Sequence, residues 1–271
     1  MFVSDPMAET TEILGAPQLH LRFSVDKPQA LVAVRLNCVA PNGQSTRITL
    51  GLLNLTHRDS HEHPTALVPG QVYSAVVDLD DTAYAIPHGH RIAVSLSTTY
   101  WPIAWPSPDL ATLTVHTGQS WLDMPVRPFD PADATLRPFD ESHSAPRSPE
   151  VEVSTPSAFP RAVRHDLLSG QMTVDFPRWT YEIHMPDIAT TSRSAGYARN
   201  IITDADPLSA RTEVGYSVDL ERSGVKASHI SHGVLTCDAT HFRLQTELTV
   251  LENDIQIFHR TWDERIARDM V

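Results

Sequence analysis

Apolar residues recur at every second position along much of the chain, and many of them are β-branched or aromatic. This period predicts β-strands that bury one face. In QLHLRFSVD at 18–26, the apolar side chains fall on one side of the strand and the polar ones on the other. The segment 30–55 predicts two more strands joined at Pro41-Asn42-Gly43, because Asn and Gly both tolerate positive φ.

Further strands follow from the same alternation. They are expected near 71–79 and 91–97, around a break at Pro87-His88-Gly89, and at 110–118. Closer to the C-terminus, strands are expected at 211–222 and at 241–262, the latter broken by a turn at Glu252-Asn253-Asp254. Two apolar faces are predicted, one formed by Val214, Tyr216, Val218 and Leu220, the other by Phe242, Leu244, Leu248 and Val250.

Many short strands with few helical candidates indicate an all-β protein, an antiparallel β-sandwich with a jelly roll as its expected form. Eight prolines between residues 125 and 160 exclude a long helix or a central strand there. We predict a sandwich over 1–124, a proline-rich connector over 125–165 and a β-rich extension over 166–271. The extension is expected to pack on the same sandwich, because alone it would bury little surface.

Charge and composition narrow the range of partners. The chain has 33 acidic and 21 basic residues and a net charge of -12, which repels a polyanion and argues against nucleic acid. No stretch approaches the roughly 20 apolar residues that span a bilayer, so we expect no membrane segment and a cytoplasmic location. Cys38 and Cys237 stand far apart in the sequence and predict buried thiols rather than a disulfide framework.

The sequence lacks the nucleophile turn of a common hydrolase class. A serine hydrolase of the α/β type needs a G-x-S-x-G turn to expose its nucleophile. G-x-S triplets begin at Gly43, Gly118 and Gly215, but none has the second glycine. A glycine-rich phosphate loop is also missing from the sequence. The residues therefore predict no catalytic residue and no cofactor in this chain.

Three histidines, His57, His61 and His63, stand close together in THRDSHEH at 56–63. On an extended segment they would share one face, and neutral imidazoles are ligands of zinc and iron. The next residues, PTALVPG, lack the glutamate that a jelly-roll metal site would use. We therefore favour a polar loop between strands without metal, and keep a metal site as the alternative.

An aromatic loop, TTYWPIAWPSP at 98–108, is the other unusual segment. Its prolines stiffen the chain around Tyr100, Trp101 and Trp105. Aromatic side chains held in this way pack against a core or an adjoining domain, or stack on a sugar ring. Packing is the favoured interpretation, and ligand binding is the alternative.

Longer segments resemble a known family. They are ILGAPQLHLRFSVDKPQALVAVRLNCVAPNGQSTRITLGLLNLTHR, LVPGQVYSAVVDLDDTAYAIPHGHRIAVSLSTTYWPIAWPSP and the tail RTWDERIARDMV. These resemble the C-terminal non-catalytic domain of the X-Pro dipeptidyl-peptidase and cocaine-esterase-like hydrolases, the CocE/NonD family. The resemblance implies a jelly roll like that of galactose-binding domains. It also implies that a Ser, Asp and His triad lies on a preceding α/β-hydrolase domain, so no triad residue maps onto this chain.

The resemblance further implies that this chain is an inert fragment of a serine hydrolase that acts on X-Pro amides or small esters. The fragment would bind against the catalytic domain, wall part of its cleft and could form a homo-oligomer. Tyr100, Trp101, Trp105, His57 and Arg58 are the expected interface or ligand residues. A carbohydrate-binding module that uses Trp101 and Trp105 is the alternative.

Overall fold

The structure is a computed structural model that describes residues 1–145, 152–153 and 161–271. Strands dominate this part of the chain, their pairings are antiparallel, and no helix in it reaches seven residues. The all-β prediction is confirmed. No helix among the described residues is long and apolar enough to cross a membrane.

The chain divides into two compact units, which we call the first unit and the second unit. The first unit comprises Met1–Pro138 together with Asp269–Val271, and the second unit comprises Phe139–Arg268. The last three residues therefore belong to the unit in which the chain begins. Asn54 Nδ2 and Thr56 Oγ1 bind the carbonyl oxygen of Met270 at 2.8 and 3.0 Å, which fixes these residues there.

Strands of the first unit form two four-stranded sheets and one two-stranded sheet. In chain order the strands are β1 (Phe2–Val3), β2 (Thr11–Gly15), β3 (Gln18–Val25), β4 (Leu31–Val39), β5 (Ser45–Asn54), β6 (Tyr73–Asp78), β7 (Thr82–Ile86), β8 (Arg91–Ser97), β9 (Leu113–Val115) and β10 (Trp121–Asp123). One sheet has the order β1-β8-β4-β5, another has β10-β3-β6 with β9 also paired to β3, and β2 pairs with β7.

A single hydrophobic core joins the sheets of the first unit. Alternate residues of β3, among them Leu21 and Phe23, are buried together with residues of β4 such as Val34 and Leu36. Since β3 and β4 belong to different sheets, the two sheets face each other across this core, as in a β-sandwich. The jelly-roll connectivity stays a prediction.

The hairpin between β4 and β5 has the predicted position, with one difference. The backbone N–H of Ala40 donates to Gln44 O at 2.8 Å and closes the turn. Of the predicted Asn-Gly pair, only Gly43 has positive φ, at 86°. Asn42 instead uses its side-chain oxygen to accept from the Gln44 N–H at 3.0 Å. The predicted strand at 110–118 is shorter than expected, because only Leu113–Val115 pairs.

The described part of the connector begins along the edge of the first unit. Leu14 N–H donates to Pro125 O at 2.9 Å, and Arg127 bonds Glu12 at 3.2 Å. A short 3₁₀ helix follows at Pro131–Thr135, capped by the Asp130 carboxylate. Residues 146–151 and 154–160 of the predicted connector, with four of its prolines, lie outside the described residues.

Strands of the second unit form one eight-stranded antiparallel sheet. The strands are β11 (Glu152–Val153), β12 (Ala162–Asp166), β13 (Gln171–Met185), β14 (Thr190–Thr203), β15 (Asp206–Arg222), β16 (Val225–Cys237), β17 (His241–Glu252) and β18 (Ile255–Ala267). Their order is β11-β13-β14-β15-β16-β17-β18, with β12 also paired to β13, so consecutive long strands are neighbours. Asn253 (φ 51°) and Asp254 (φ 65°) form the turn expected before the last strand.

The two faces of this sheet differ in polarity. Val218 lies opposite His229, which lies opposite Val250, so the register places the two predicted apolar sets on one face of the sheet. The other face carries ion pairs such as Arg193 with Glu182 and Glu221. The alternation predicts these side chains as an apolar face, and in the structure Val214, Tyr216 and Leu220 on this face remain more than a third exposed. The prediction that this extension packs on the same sandwich stays a prediction.

Candidate functional site

The aromatic loop follows β8 and is held at both ends. Ser97 Oγ donates to Thr99 O at 2.9 Å at its start. After its end, the Thr112 N–H donates to Asp26 Oδ1 at 2.7 Å. This backbone hydrogen bond holds the pKa of the Asp26 carboxyl below its ordinary value. The loop is thus anchored to the end of β3 by a charged acceptor that stays ionised at neutral pH.

Tyr100 packs on the outer side of the neighbouring strands. The Arg47 guanidinium of β5 donates to the Tyr100 hydroxyl at 2.8 Å. The Arg35 guanidinium of β4 lies 5.3 Å from the centre of the Tyr100 ring, within the range of a cation–π contact. Tyr100 therefore ties the start of the loop to the sheet.

Trp101 and Trp105 form an aromatic pair within the same loop. Their ring centroids are 5.2 Å apart and the planes meet at 84°, an edge-to-face arrangement. The Trp101–Pro102 peptide bond between them is cis. Both rings are half-buried, and the Trp101 indole N–H is buried without a hydrogen-bond partner among the described residues. Ile103 at the tip of the loop is 61% exposed, so the loop presents an apolar point to its surroundings.

Arg58 lies inside the histidine loop. Its guanidinium donates to Leu55 O, Thr65 O and Thr65 Oγ1 at 2.9 to 3.1 Å, and its Cζ lies 4.4 Å from the centre of the Tyr73 ring. Only 8% of the side chain is exposed. Arg58 therefore fixes the shape of the loop from within, and its part in an interface stays a prediction.

The three histidines of this loop differ in their surroundings. His57, at the end of the 3₁₀ helix Leu55–His57, lies with its Nδ1 3.4 Å from His61 Nδ1. His63 is exposed and points its Nε2 to within 3.9 Å of Glu62 Oε1. In the described ranges, no group of three or more His, Cys, Asp and Glu side chains is arranged to hold a metal ion.

The predicted site residues form two separate groups. His57 and Arg58 make their hydrogen bonds, ion pairs and ring contacts within the histidine loop and with Tyr73, and none of these reaches Tyr100 or the tryptophans. The structure therefore supports two local surfaces on the first unit rather than one constellation.

A further aromatic surface was missed in the sequence. Trp121 in β10 stacks on His20 in β3 with centroids 4.5 Å apart and planes 7° apart. His20 Nε2 lies 2.9 Å from Asp123 Oδ2. Trp121 also lines a cavity of about 250 Å³, whose wall includes Leu21 and Leu96. The segment WLD at 121–123 is too short to show a period, so only its position opposite β3 reveals the cluster.

Comparisons with known proteins point to one family. A model of the X-Pro dipeptidyl-peptidase C-terminal non-catalytic domain matches residues 1–143. Cocaine esterase of Rhodococcus sp. (strain MB1 Bresler) is 23% identical over 101 residues, which cover 37% of this chain and 18% of that protein.

Solved structures are similar over just under half of the chain. An alpha-amino acid ester hydrolase is 24% identical with a TM-score of 0.45, and the match covers 46% of this chain and 25% of that one. A CocE/NonD family hydrolase from Staphylococcus aureus is 14% identical with a TM-score of 0.40, covering 46% and 30%.

The chain thus matches less than a third of the length of each of these relatives. The residues matched by the family model are more than half of the chain and include both loops described above. The resemblance seen in the sequence is confirmed. This chain belongs to the family of X-Pro dipeptidyl-peptidase C-terminal non-catalytic domains.

Proposed function

We propose that this chain is the accessory part of a larger serine hydrolase, and that its first unit packs against the catalytic domain and walls the cleft. The observation that carries this proposal is the match of residues 1–143 to a family of non-catalytic domains. The short share of each relative that the chain matches supports it further.

The parent enzyme would cleave acyl bonds, either X-Pro dipeptide amides or small esters, through a covalent acyl-enzyme. Its nucleophile, base and oxyanion hole would lie in the catalytic domain. This chain would close one side of the cleft and exclude water from it. We assign it the domain plan 1–124, 125–165 and 166–271, a jelly roll like that of galactose-binding domains, and a cytoplasmic location.

The aromatic loop is the surface that we assign to the catalytic domain. Trp and Tyr side chains carry much of the binding energy of protein interfaces, and the loop holds Tyr100, Trp101 and Trp105 in fixed positions. Ile103 adds an exposed apolar contact at the tip. The histidine loop is assigned as a second, more polar contact, in which Arg58 holds the shape of the loop and His57 is half-buried.

Inertness of the isolated chain is the first test. We expect the purified 271-residue chain to show no turnover of an X-Pro nitroanilide or a nitrophenyl ester above a buffer blank. The control is the parent protein, encoded by extending the reading frame upstream. Turnover by the isolated chain would show that the accessory assignment is wrong.

The assigned surface is tested with an exposed residue, so that the fold is left intact. Ile103→Asp places a charge at the tip of the aromatic loop, and Val76→Asp places one on another exposed position of the first unit. Calorimetric titration with the separately produced catalytic domain should show affinity about tenfold weaker or more for the first variant and little change for the second. Equal effects of both substitutions would remove the loop from the interface.

A carbohydrate-binding module is the second candidate function. The Trp101 and Trp105 rings are half-buried, and the part of each ring that stays exposed could stack on a sugar. Calorimetry with a panel of sugars tests this candidate. Absence of binding, or binding that persists in Trp105→Ala, would rule it out.

A further inference from the structure

The last strand of the second unit has an open edge. β18 is thirteen residues long and ends the sheet order, with β17 as its one paired strand in the part of the chain that the structure describes. Nearly all of its residues are exposed. Proteins usually protect such an edge with charged side chains, lysine above all, with proline or with a very short strand. IQIFHRTWDERIA is long and has neither proline nor lysine, and its charged residues carry both signs. At the other end of the sheet, β11 and β12 are only two and five residues long.

The backbone of β18 is arranged to accept another strand. The Arg268 N–H donates to Thr240 O at 2.9 Å, and the register continues from this pair in steps of two residues. Even-numbered residues from Phe258 to Ile266 therefore bond β17, while Thr261, Asp263 and Arg265 direct their N–H and C=O groups to the free edge. An added strand could use all of these groups.

Two charged side chains on this edge, Arg260 and Glu264, form no ion pair with any residue that the structure describes. The Arg260 guanidinium lies over the Trp262 ring, with its Cζ 4.8 Å from the centroid. The neighbouring residues of β18, Asp263 and Arg265, have side chains on the opposite face of the sheet. Both form ion pairs, Asp263 with Arg243 at 2.5 Å and Arg265 with Asp238 at 3.0 Å. Arg260 and Glu264 lie on the same face, two residues before and after Trp262.

We propose that β18 pairs antiparallel with β18 of a second copy of this chain, in a register centred on Trp262. This register sets Arg260 opposite Glu264 of the other copy, and the two-fold symmetry forms this pair twice. It also sets Phe258 opposite Ile266, so that the apolar faces of the two sheets become continuous. Centring on residue 260 or 264 would instead place like charges opposite each other, which destabilises a strand pair.

Sedimentation of the full chain tests both the pairing and its register. The wild-type chain should reach about twice its mass of 30.1 kDa. Arg260→Glu and Glu264→Arg should each weaken dimerisation about tenfold or more, because two attractive pairs become two repulsive ones. An equimolar mixture of the two variants should form heterodimers, since every cross-pair is then attractive. The double variant should recover the wild-type affinity.

Two further variants complete the test. Arg222→Glu changes the charge by the same amount at an exposed position on β15 and should leave dimerisation unchanged. Thr261→Pro removes an N–H that faces the free edge and does not bond β17, so it should abolish the dimer while circular dichroism stays the same. A monomeric wild-type chain, dimers of unchanged affinity in the single charge variants, or a mixture that fails to associate would each overturn the proposal.

Discussion

The two units of this chain obtain their stability in different ways. The first unit encloses a core in which side chains such as Phe23, Val34 and Ile86 are fully buried. In the second unit, the buried hydrophobic side chains among the described residues are Val174, Ala195, Ala210 and Val234 only. Its long strands are joined by backbone ladders, and its apolar face stays half-exposed.

This difference indicates what each unit needs from its surroundings. Burial of apolar surface contributes most of the stability of an ordinary domain, so the first unit has the means to fold alone. A single sheet exposes one apolar face, and a large exposed apolar patch is typical of a surface that binds a partner. We therefore expect the second unit to depend more on a partner than the first unit does.

The largest expected effect compares two phenylalanines. Phe23→Ala removes a ring that is 0% exposed and should lower the free energy of unfolding of the first unit by about 3–5 kcal/mol. Phe258 is 44% exposed, and Phe258→Ala should cost the second unit about 1 kcal/mol or less. Chemical denaturation, monitored by amide hydrogen exchange in each unit, measures both changes in the free energy of unfolding. Equal losses would contradict the contrast between the units.

A smaller effect is expected from two strand glycines. A Cβ at Gly51 would overlap the backbone carbonyl of Asp78, so Gly51→Ala should cost the first unit about 1–3 kcal/mol. A Cβ at Gly215 would meet the ring of Tyr197, which is 36% exposed and can turn outward. Gly215→Ala should therefore cost less. Thermal unfolding of both variants checks the order, and a reversed order would show that the second unit is packed more tightly than described.

The smallest expected effect is a loss of stability of the second unit at low pH. Hydrogen bonds from Arg199 hold the pKa of Asp175 below its ordinary value of 3.8, and the backbone N–H of Thr240 does the same for Asp238. A carboxylate with a lowered pKa stabilises the fold above its ordinary value, and this contribution is lost as the pH falls through the lowered pKa. The second unit should therefore weaken below pH about 4.

Asp175→Asn tests the origin of this effect. It should cost about 1 kcal/mol at pH 7, where Arg199 and Arg164 lose their shared partner, and the difference from wild type should shrink in acid. Urea denaturation at pH 7 and pH 3 measures it. A cost that does not depend on pH would mean that Asp175 stabilises the sheet by packing rather than by charge.

The alternation of polar and apolar residues along the sequence predicted strands that have one polar and one apolar face. The hairpin around Gly43 and the turn before β18 were both located from their turn residues. The strands β12, β13 and β14 were not predicted, because Thr, Ser and Arg occupy many of their positions and no apolar period stands out. Their assignment depends on pairing between neighbouring strands, β12 with β13, β13 with β14 and β14 with β15, which the pattern within one strand does not contain.

Less of the candidate site could be predicted. The sequence located the aromatic and histidine loops, but it could not show that Arg58 turns inward to bond Thr65. It also treated both loops as one set of candidates, whereas the contacts separate them. The stacked pair of Trp121 and His20 joins residues about a hundred positions apart, and only the register of β10 with β3 brings them together.

The order of strands also bears on how quickly each unit can form. From β13 to β18, every strand pairs with the one that follows it, so each step closes a short loop. In the first unit, β1 pairs with β8 and β3 with β10, and these contacts join distant parts of the chain. Loop closure over longer segments costs more entropy and slows folding. The second unit should therefore form its sheet first, and the unit with the larger core should follow it.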